Sequence, residues 1–166
     1  MDIRTTFQFL LPFLLLGCQS NDPLPVPQEW ETFETNVFSF QGPADLKRQH
    51  VQGIDSYVGQ FGNGEIELNF DYGSYSDPLD DNHKKNDGYL AKRTKVDLKK
   101  ATVVTYKRSD PEDQFLFCAG IHFPDTGDGQ TKLTLFGRAK TQEGQDQLSL
   151  LFLTLQFGTT EDEPEN

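Results

Sequence analysis

Six polar and aromatic residues in the first half of the chain have side chains that could do chemistry together: Asp55, Tyr57, Asp71, Tyr72, Tyr75 and Ser76. A carboxylate can act as a general base if it lies within about 2.6–3.2 Å of the proton it removes. One interpretation is a small binding cleft at a sheet end, where Asp accepts hydrogen bonds and Tyr stacks. The other, which we favour, is that these are half-buried tyrosines held in place by Asp and Ser.

An enzyme is the alternative hypothesis, with Asp55 or Asp71 as general base beside Tyr57 or Tyr72. Other catalytic or metal-binding spacings are missing from the sequence, which has no Gly-x-Ser-x-Gly motif and no pair of histidines spaced as zinc ligands. We therefore expect a binding or structural domain rather than an enzyme, with no cofactor and no metal. One possibility stays open, because the oxygen-rich loop Asp77–Asp87 has side chains of the kind that bind Ca²⁺.

The two cysteines have different surroundings. Cys118 lies in the apolar run Phe115–Gly120 and is expected to be a small buried residue rather than a reactive thiol. Cys18 follows a short apolar run, Phe7–Leu16, which itself comes after Arg4. Such a run is shorter than the roughly 20 residues that a membrane-spanning helix needs, and it is typical of a secretory signal peptide.

The segment Leu15-Leu16-Gly17-Cys18 resembles the lipobox of bacterial lipoproteins. In that family the chain is cut before the cysteine, which carries acyl chains such as palmitate that hold the protein in a membrane. The resemblance implies a signal peptide over residues 1–17, lipidation at Cys18 and the membrane as a partner. In this family, Asp directly after the cysteine favours retention at the inner membrane. This chain has Gln19 there, which indicates the periplasmic or surface face of the outer membrane.

Charge limits the other partners of the chain. The formal net charge is −11 and the sequence pI is about 4.6. Nucleic-acid binding requires Lys and Arg to neutralise phosphates, so an acidic chain is a poor candidate for it. Anionic lipid headgroups would also repel the net charge. The acidity is best explained by solubility, and an envelope protein remains a possible partner.

The sequence predicts a single folded domain between two polar segments. Residues 18–35 contain the cysteine and prolines at positions 23, 25 and 27, which indicates an extended tether. Residues 159–166 are acidic and lack apolar side chains, which is typical of a disordered tail. Residues 36–158 form the predicted domain, whose length is ordinary for a single core.

Within the domain, hydrophobic patterns predict an α+β fold with a mostly antiparallel sheet. Residues 56–61 and 66–72 flank Asn63-Gly64 and predict a hairpin, and residues 115–123 and 132–139 predict a second one. Residues 102–108 predict another strand, whereas residues 77–96 predict a long loop with a short strand at 89–96. Residues 141–157 predict a terminal helix that covers the sheet, with a strand as the alternative for residues 153–157.

The order of these elements resembles the Mog1/PsbP-like α/β/α sandwich domains of secreted bacterial lipoproteins. The resemblance rests on Phe38-Ser39-Phe40 with Pro43 at the start of the domain, and on Leu-Thr-Leu-Gln-Phe at 153–157. Residues 55–59 and 70–76 also resemble an uncharacterised group of bacterial lipoproteins. The resemblance covers residues 36–157 and implies architecture alone, including a helix near residues 44–52, because this fold has unrelated roles in different proteins.

Overall fold

The computed structural model describes residues 26–79, 83–110 and 112–158. Its strands and single helix, in chain order, are β1 (Trp30–Glu34), β2 (Phe38–Pro43), β3 (Lys47–Gln49), β4 (Tyr57–Gly62), β5 (Ile66–Gly73), β6 (Asp87–Val96), β7 (Lys99–Lys107), β8 (Phe117–Phe123), β9 (Lys132–Ala139), α1 (Gln142–Leu153) and β10 (Gln156–Phe157). The predicted signal peptide, Cys18 and the acidic tail all lie outside the described residues.

Seven strands form one antiparallel sheet in the order β3-β4-β5-β9-β8-β7-β6. The β4–β5 hairpin confirms the prediction from Asn63-Gly64: Gly64 has φ +87°, and the Asn63 side-chain oxygen accepts hydrogen bonds from the backbone N–H groups of Glu65 and Ile66. The β8–β9 hairpin is also confirmed. The fold is therefore α+β, with a mostly antiparallel sheet and one helix after its last long strand.

A second sheet, with the order β1-β2-β10, packs its phenylalanines into the same core. Phe33 of β1 stacks on Phe40 of β2 with ring centroids 5.3 Å apart. Strand β1 lies before residue 36, so the folded domain begins within the segment that the sequence predicts as a tether. Strand β10 shows that the strand alternative for the end of residues 153–157 is correct for Gln156–Phe157.

Helix α1 covers one face of the large sheet. Thr141 caps its start, with the side-chain oxygen accepting a hydrogen bond from the Gly144 N–H at 3.1 Å. The helix residues Leu148, Leu151 and Phe152 and Leu155 just after the helix are all buried, which confirms that the predicted terminal helix covers the sheet. The strand residues that they cover are Ile66, Leu68, Phe70, Ile121 and Phe123.

The opposite face of the large sheet is covered as well, by the β5–β6 connection. Ser76 is 1% exposed, and Leu79 lies over Gly120 so closely that no Cβ could be added to that glycine. Six of the seven residues of β8 are buried as a result. The alternation of buried and wet positions that the sequence predicts therefore fails for β8, because both of its faces are dry.

Three local predictions differ from the structure. Phe115 is buried outside the main core, between the Arg138 and Lys140 side chains, because Asp113 accepts the Phe115 N–H and turns the chain before β8 begins. The short strand predicted at 89–96 is present but begins two residues earlier, as the ten-residue strand β6. The segment 44–52 contains the short strand β3 and no helix, since Leu46 and Val51 are its only large apolar residues.

Candidate functional site

The six residues predicted to form a cleft are divided between different parts of the sheet. Tyr57 and Tyr72 are direct partners in the β4–β5 register and share the face that α1 covers. The Tyr57 ring packs edge-on against Phe70 with centroids 5.1 Å apart, and its hydroxyl accepts a hydrogen bond from Arg48 Nη2 at 2.8 Å. These two tyrosines are half-buried, as the structural interpretation expects, but the contacts that the structure shows for them are packing against the core and the Arg48 hydrogen bond, not the Asp and Ser contacts of that interpretation.

Asp71 and Ser76 lie on the opposite face, since neighbouring residues of a strand point to opposite sides. The Ser76 hydroxyl lies 3.0 Å from the Asp71 carbonyl oxygen and 2.7 Å from the Thr134 hydroxyl. One carboxylate oxygen of Asp71, Oδ1, is buried and has no hydrogen-bond partner among the described residues. Asp71 and Tyr72 therefore cannot act together in one pocket.

The other two members of the predicted set are exposed. Asp55 lies in the bend before β4, and Tyr75, which follows β5, is 82% exposed. The structure thus brings together Tyr57 with Tyr72, and Ser76 with the backbone of Asp71. It does not bring the six side chains into one cleft.

A second aromatic cluster, missed by the sequence analysis, lies on the face that the β5–β6 connection covers. The His83 ring stacks on Tyr106 at 4.6 Å and lies parallel to Phe136 at 6.1 Å. Burial and the nearby Arg108 guanidinium lower the pKa of His83, so this imidazole is held in its neutral form. The sequence gives little signal for this cluster, because Tyr106 and Phe136 share their face with Thr102 and Thr134 and His83 lies in the irregular β5–β6 connection.

Cys118 lies beside Tyr106 on the same face and is fully buried. Burial raises the pKa of the Cys118 thiol, and the hydrogen bond with Tyr106 opposes this only in part. Burial, together with the neighbouring thiol, also raises the pKa of Tyr106. Both groups are therefore protonated at neutral pH, which fits the expectation that Cys118 is a packed residue rather than a nucleophile.

Ion pairs border this cluster. Arg138 Nη2 donates to Glu67 Oε2 at 2.6 Å, and Arg138 Nη1 donates to Asp113 Oδ2 at 3.1 Å. Arg108 Nη1 contacts the same Asp113 oxygen at 2.5 Å. Because Arg108 and Arg138 each have a carboxylate partner, this network holds Arg108 and Asp113 against the sheet, and neither arginine is free to bind a ligand.

Positive charge is concentrated in a different place, the β6–β7 hairpin at the sheet edge. Nine of the fifteen Lys and Arg residues lie between residues 84 and 108, which contain only two carboxylates. We call residues 87–107 the basic hairpin. Lys95 and Lys100 are direct partners in its register and, with Arg93, line an open cavity of about 620 Å³. Among the described residues, no carboxylate pairs with any of these three cations.

The described residues contain no cluster of three or more His, Cys, Asp or Glu side chains that could hold a metal ion. The predicted Ca²⁺ loop is only partly covered by this statement, since residues 80–82 lie outside the described residues. Within the described ranges, no helix is both long enough and apolar enough to cross a membrane. No protein-family model and no curated protein sequence shows a significant match to this chain.

Proposed function

We propose that this chain is a lipid-anchored protein of the bacterial cell envelope, held at the outer membrane through Cys18. The observation that carries the proposal is the segment Leu15-Leu16-Gly17-Cys18 at the end of a short apolar run. The described domain is consistent with such a role, since its first strand begins at Trp30, after Cys18, and it has a covered core of its own. A single acyl chain anchors only reversibly, whereas the multiple chains of bacterial lipoproteins would hold the domain permanently.

For the domain itself we propose the Mog1/PsbP-like architecture that the sequence resembles. An antiparallel sheet with a helix after its last long strand, packed on one face, supports this assignment. A connection rather than a helix covers the second face, and strand β3 occupies the position where the resemblance implies a helix. A Mog1/PsbP-like architecture would not by itself indicate an activity, because domains with this fold have unrelated roles.

The role that fits best is binding or structural support, with another envelope protein as a possible partner. The enzyme hypothesis needs an Asp and a Tyr in one pocket, and its most compact version pairs Asp71 with Tyr72. Those two side chains lie on opposite faces of the sheet. The buried Cys118, whose pKa is raised, is likewise unsuited to nucleophilic catalysis.

Cell fractionation of Cys18→Ser tests the anchoring. The wild-type chain should sediment with outer membranes and need detergent for release, whereas Cys18→Ser should lose the lipid and the cleavage that depends on it. Cys118→Ala is the matched control, because it removes the other thiol but leaves the lipobox intact. Labelling by an alkyne-tagged fatty acid that is equal in wild type and Cys18→Ser would refute the proposal.

A further inference from the structure

The turn of the basic hairpin is built from residues that do not favour its geometry. Asp97 has φ 47° and Leu98 has φ 63°, and they connect the paired residues Val96 and Lys99. A two-residue turn with two positive φ angles favours Asn-Gly or Asp-Gly, and a leucine there is strained. Leu98 is also 92% exposed. An apolar residue that is both strained and exposed is poorly explained by the stability of the fold.

The charges beside this turn are equally unfavourable for the isolated domain. Lys95 and Lys100 stand directly opposite each other, and like charges in that position destabilise a pair of strands. Lysines on β6 alone would be explained as protection of an edge strand against aggregation. Lys100 lies on β7 and pairs with β6 alone, because the pairs of β7 with β8 begin at Thr102, so the last residues of the hairpin project beyond the sheet.

The turn lies at the end of the domain where the described chain begins. Val26, the first described residue, and Asp97 line the same cavity, whose volume is about 370 Å³. Seven residues separate Cys18 from Val26, and the eight Cα–Cα steps between the two reach at most about 29 Å even when fully extended. A lipid on Cys18 would therefore keep the hairpin turn near the membrane surface.

We propose that the turn of the basic hairpin docks on the anionic phospholipid headgroups of the membrane that carries the anchor. Leu98 enters the headgroup layer, and Lys95 and Lys100 bind phosphate oxygens on either side of it. This rests on the proposed anchoring of Cys18. It also accounts for the concentration of Lys and Arg in this hairpin of a chain whose net charge is −11. The contact fixes the orientation of the domain at the membrane surface.

Fluorescence quenching in vesicles tests this docking with the full lipidated chain. Leu98→Cys is labelled with an environment-sensitive dye and reconstituted into vesicles of equal parts phosphatidylethanolamine and phosphatidylglycerol that contain a headgroup-level quencher lipid. Ile54→Cys is the matched control, because Ile54 is also a fully exposed apolar residue but precedes β4, near the other edge of the sheet. We expect strong quenching at position 98 and little at position 54, and a much smaller difference in phosphatidylcholine vesicles.

Removal of charge should weaken the docking. Each lysine near an anionic surface contributes enough for about a fivefold change, so the dye-labelled chain with Lys95→Gln and Lys100→Gln should dock about 25-fold less. The control with Lys47→Gln and Lys132→Gln changes the net charge equally but lies outside the hairpin, and it should dock like the unsubstituted chain. High salt should act like the first pair of substitutions.

A variant at the turn separates docking from folding. Leu98→Gly relieves the positive φ, so its urea midpoint should rise. Docking of Leu98→Gly should nevertheless be weaker than docking of the unsubstituted chain. When the two compete with the dye-labelled chain for a limited vesicle surface, Leu98→Gly should displace less of it. A Leu98 with a purely structural role would give a lower urea midpoint instead.

The possible failures can be distinguished. If the protein does not float with the vesicles, the anchoring proposal fails. If it floats but positions 98 and 54 are quenched equally, or if both pairs of lysine substitutions have the same effect, the docking proposal is wrong. If position 98 is quenched only after residues 159–166 are deleted, the acidic tail rather than the membrane occupies the hairpin, and the proposal is again overturned.

Discussion

Leu148 of α1 lies directly over Gly137 of β9. A Cβ added to Gly137 would lie 2.5 Å from Leu148 Cδ2, which is less than any ordinary carbon contact. The helix approaches the sheet this closely because β9 has no side chain at the point of contact. The relationship fixes the position of α1 on the sheet and depends on the absence of a single methyl group.

Gly137→Ala should therefore destabilise the domain. Overpacking in a tight core costs about 1–3 kcal/mol, and here the added methyl must displace a fully buried leucine. Urea unfolding followed by the fluorescence of Trp30, the only tryptophan, measures the loss. Gly158→Ala is the control, because a Cβ there meets no neighbour within 4 Å, and its effect should stay within about 0.5 kcal/mol.

Leu148→Ala should cost about 2–5 kcal/mol by itself, since it leaves a cavity under the helix. Combined with Gly137→Ala, the cost should be less than the sum of the two single losses, because the new methyl fills part of that cavity. Strict additivity would mean that the two residues do not share the contact.

The strands and the helix were largely predictable, whereas the cover of the second face was not. Asn63-Gly64 and the alternation from Ile66 to Tyr72 predict β4 and β5 through local rules alone. The covering of β8 by Leu79 and His83 depends on a connection between distant strands, which has no periodicity of its own. The six residues of the alternative Asp/Tyr cleft are not brought together for a related reason, because adjacency of Asp71 and Tyr72 in a strand places them on opposite faces.

Cys118 should be protected from alkylating reagents in the native protein. Its side chain is fully buried, so the reagent cannot reach the sulfur. Burial also raises the pKa of the thiol, so little of the reactive thiolate is present. Iodoacetamide labelling followed by mass spectrometry should show slow modification in buffer and rapid modification in urea. Rapid labelling of the folded protein at neutral pH would contradict the buried position of this cysteine.

Asp128 should titrate at unusually low pH. The hydrogen bonds from the Thr131 side chain and from the Thr131 and Gln130 backbone lower its pKa from 3.8 to about 2. A folded-state pKa below the unfolded value means that this stabilisation is complete above about pH 4 and is lost as the pH falls towards 2. The carboxyl ¹³C shift of Asp128 followed by NMR against pH measures the value.

The Thr131 hydroxyl is the largest single cause of this low pKa. Thr131→Val should therefore raise the pKa of Asp128 towards 3.8. Thr126→Val is the control in the same turn, since the Thr126 hydroxyl donates to the Thr131 carbonyl rather than to Asp128. An Asp128 pKa near 3.8 in the unsubstituted protein would show that these hydrogen bonds do not form in solution.

Lipid anchoring at Cys18 is the central claim, and the intact mass of the protein extracted from its native membranes tests it most directly. The mature chain should begin at Cys18 and carry a mass increment equal to a diacylglycerol and an additional acyl chain, all of it on the N-terminal peptide. A chain that keeps residues 1–17, or one cut elsewhere with an unmodified Cys18, would contradict the account.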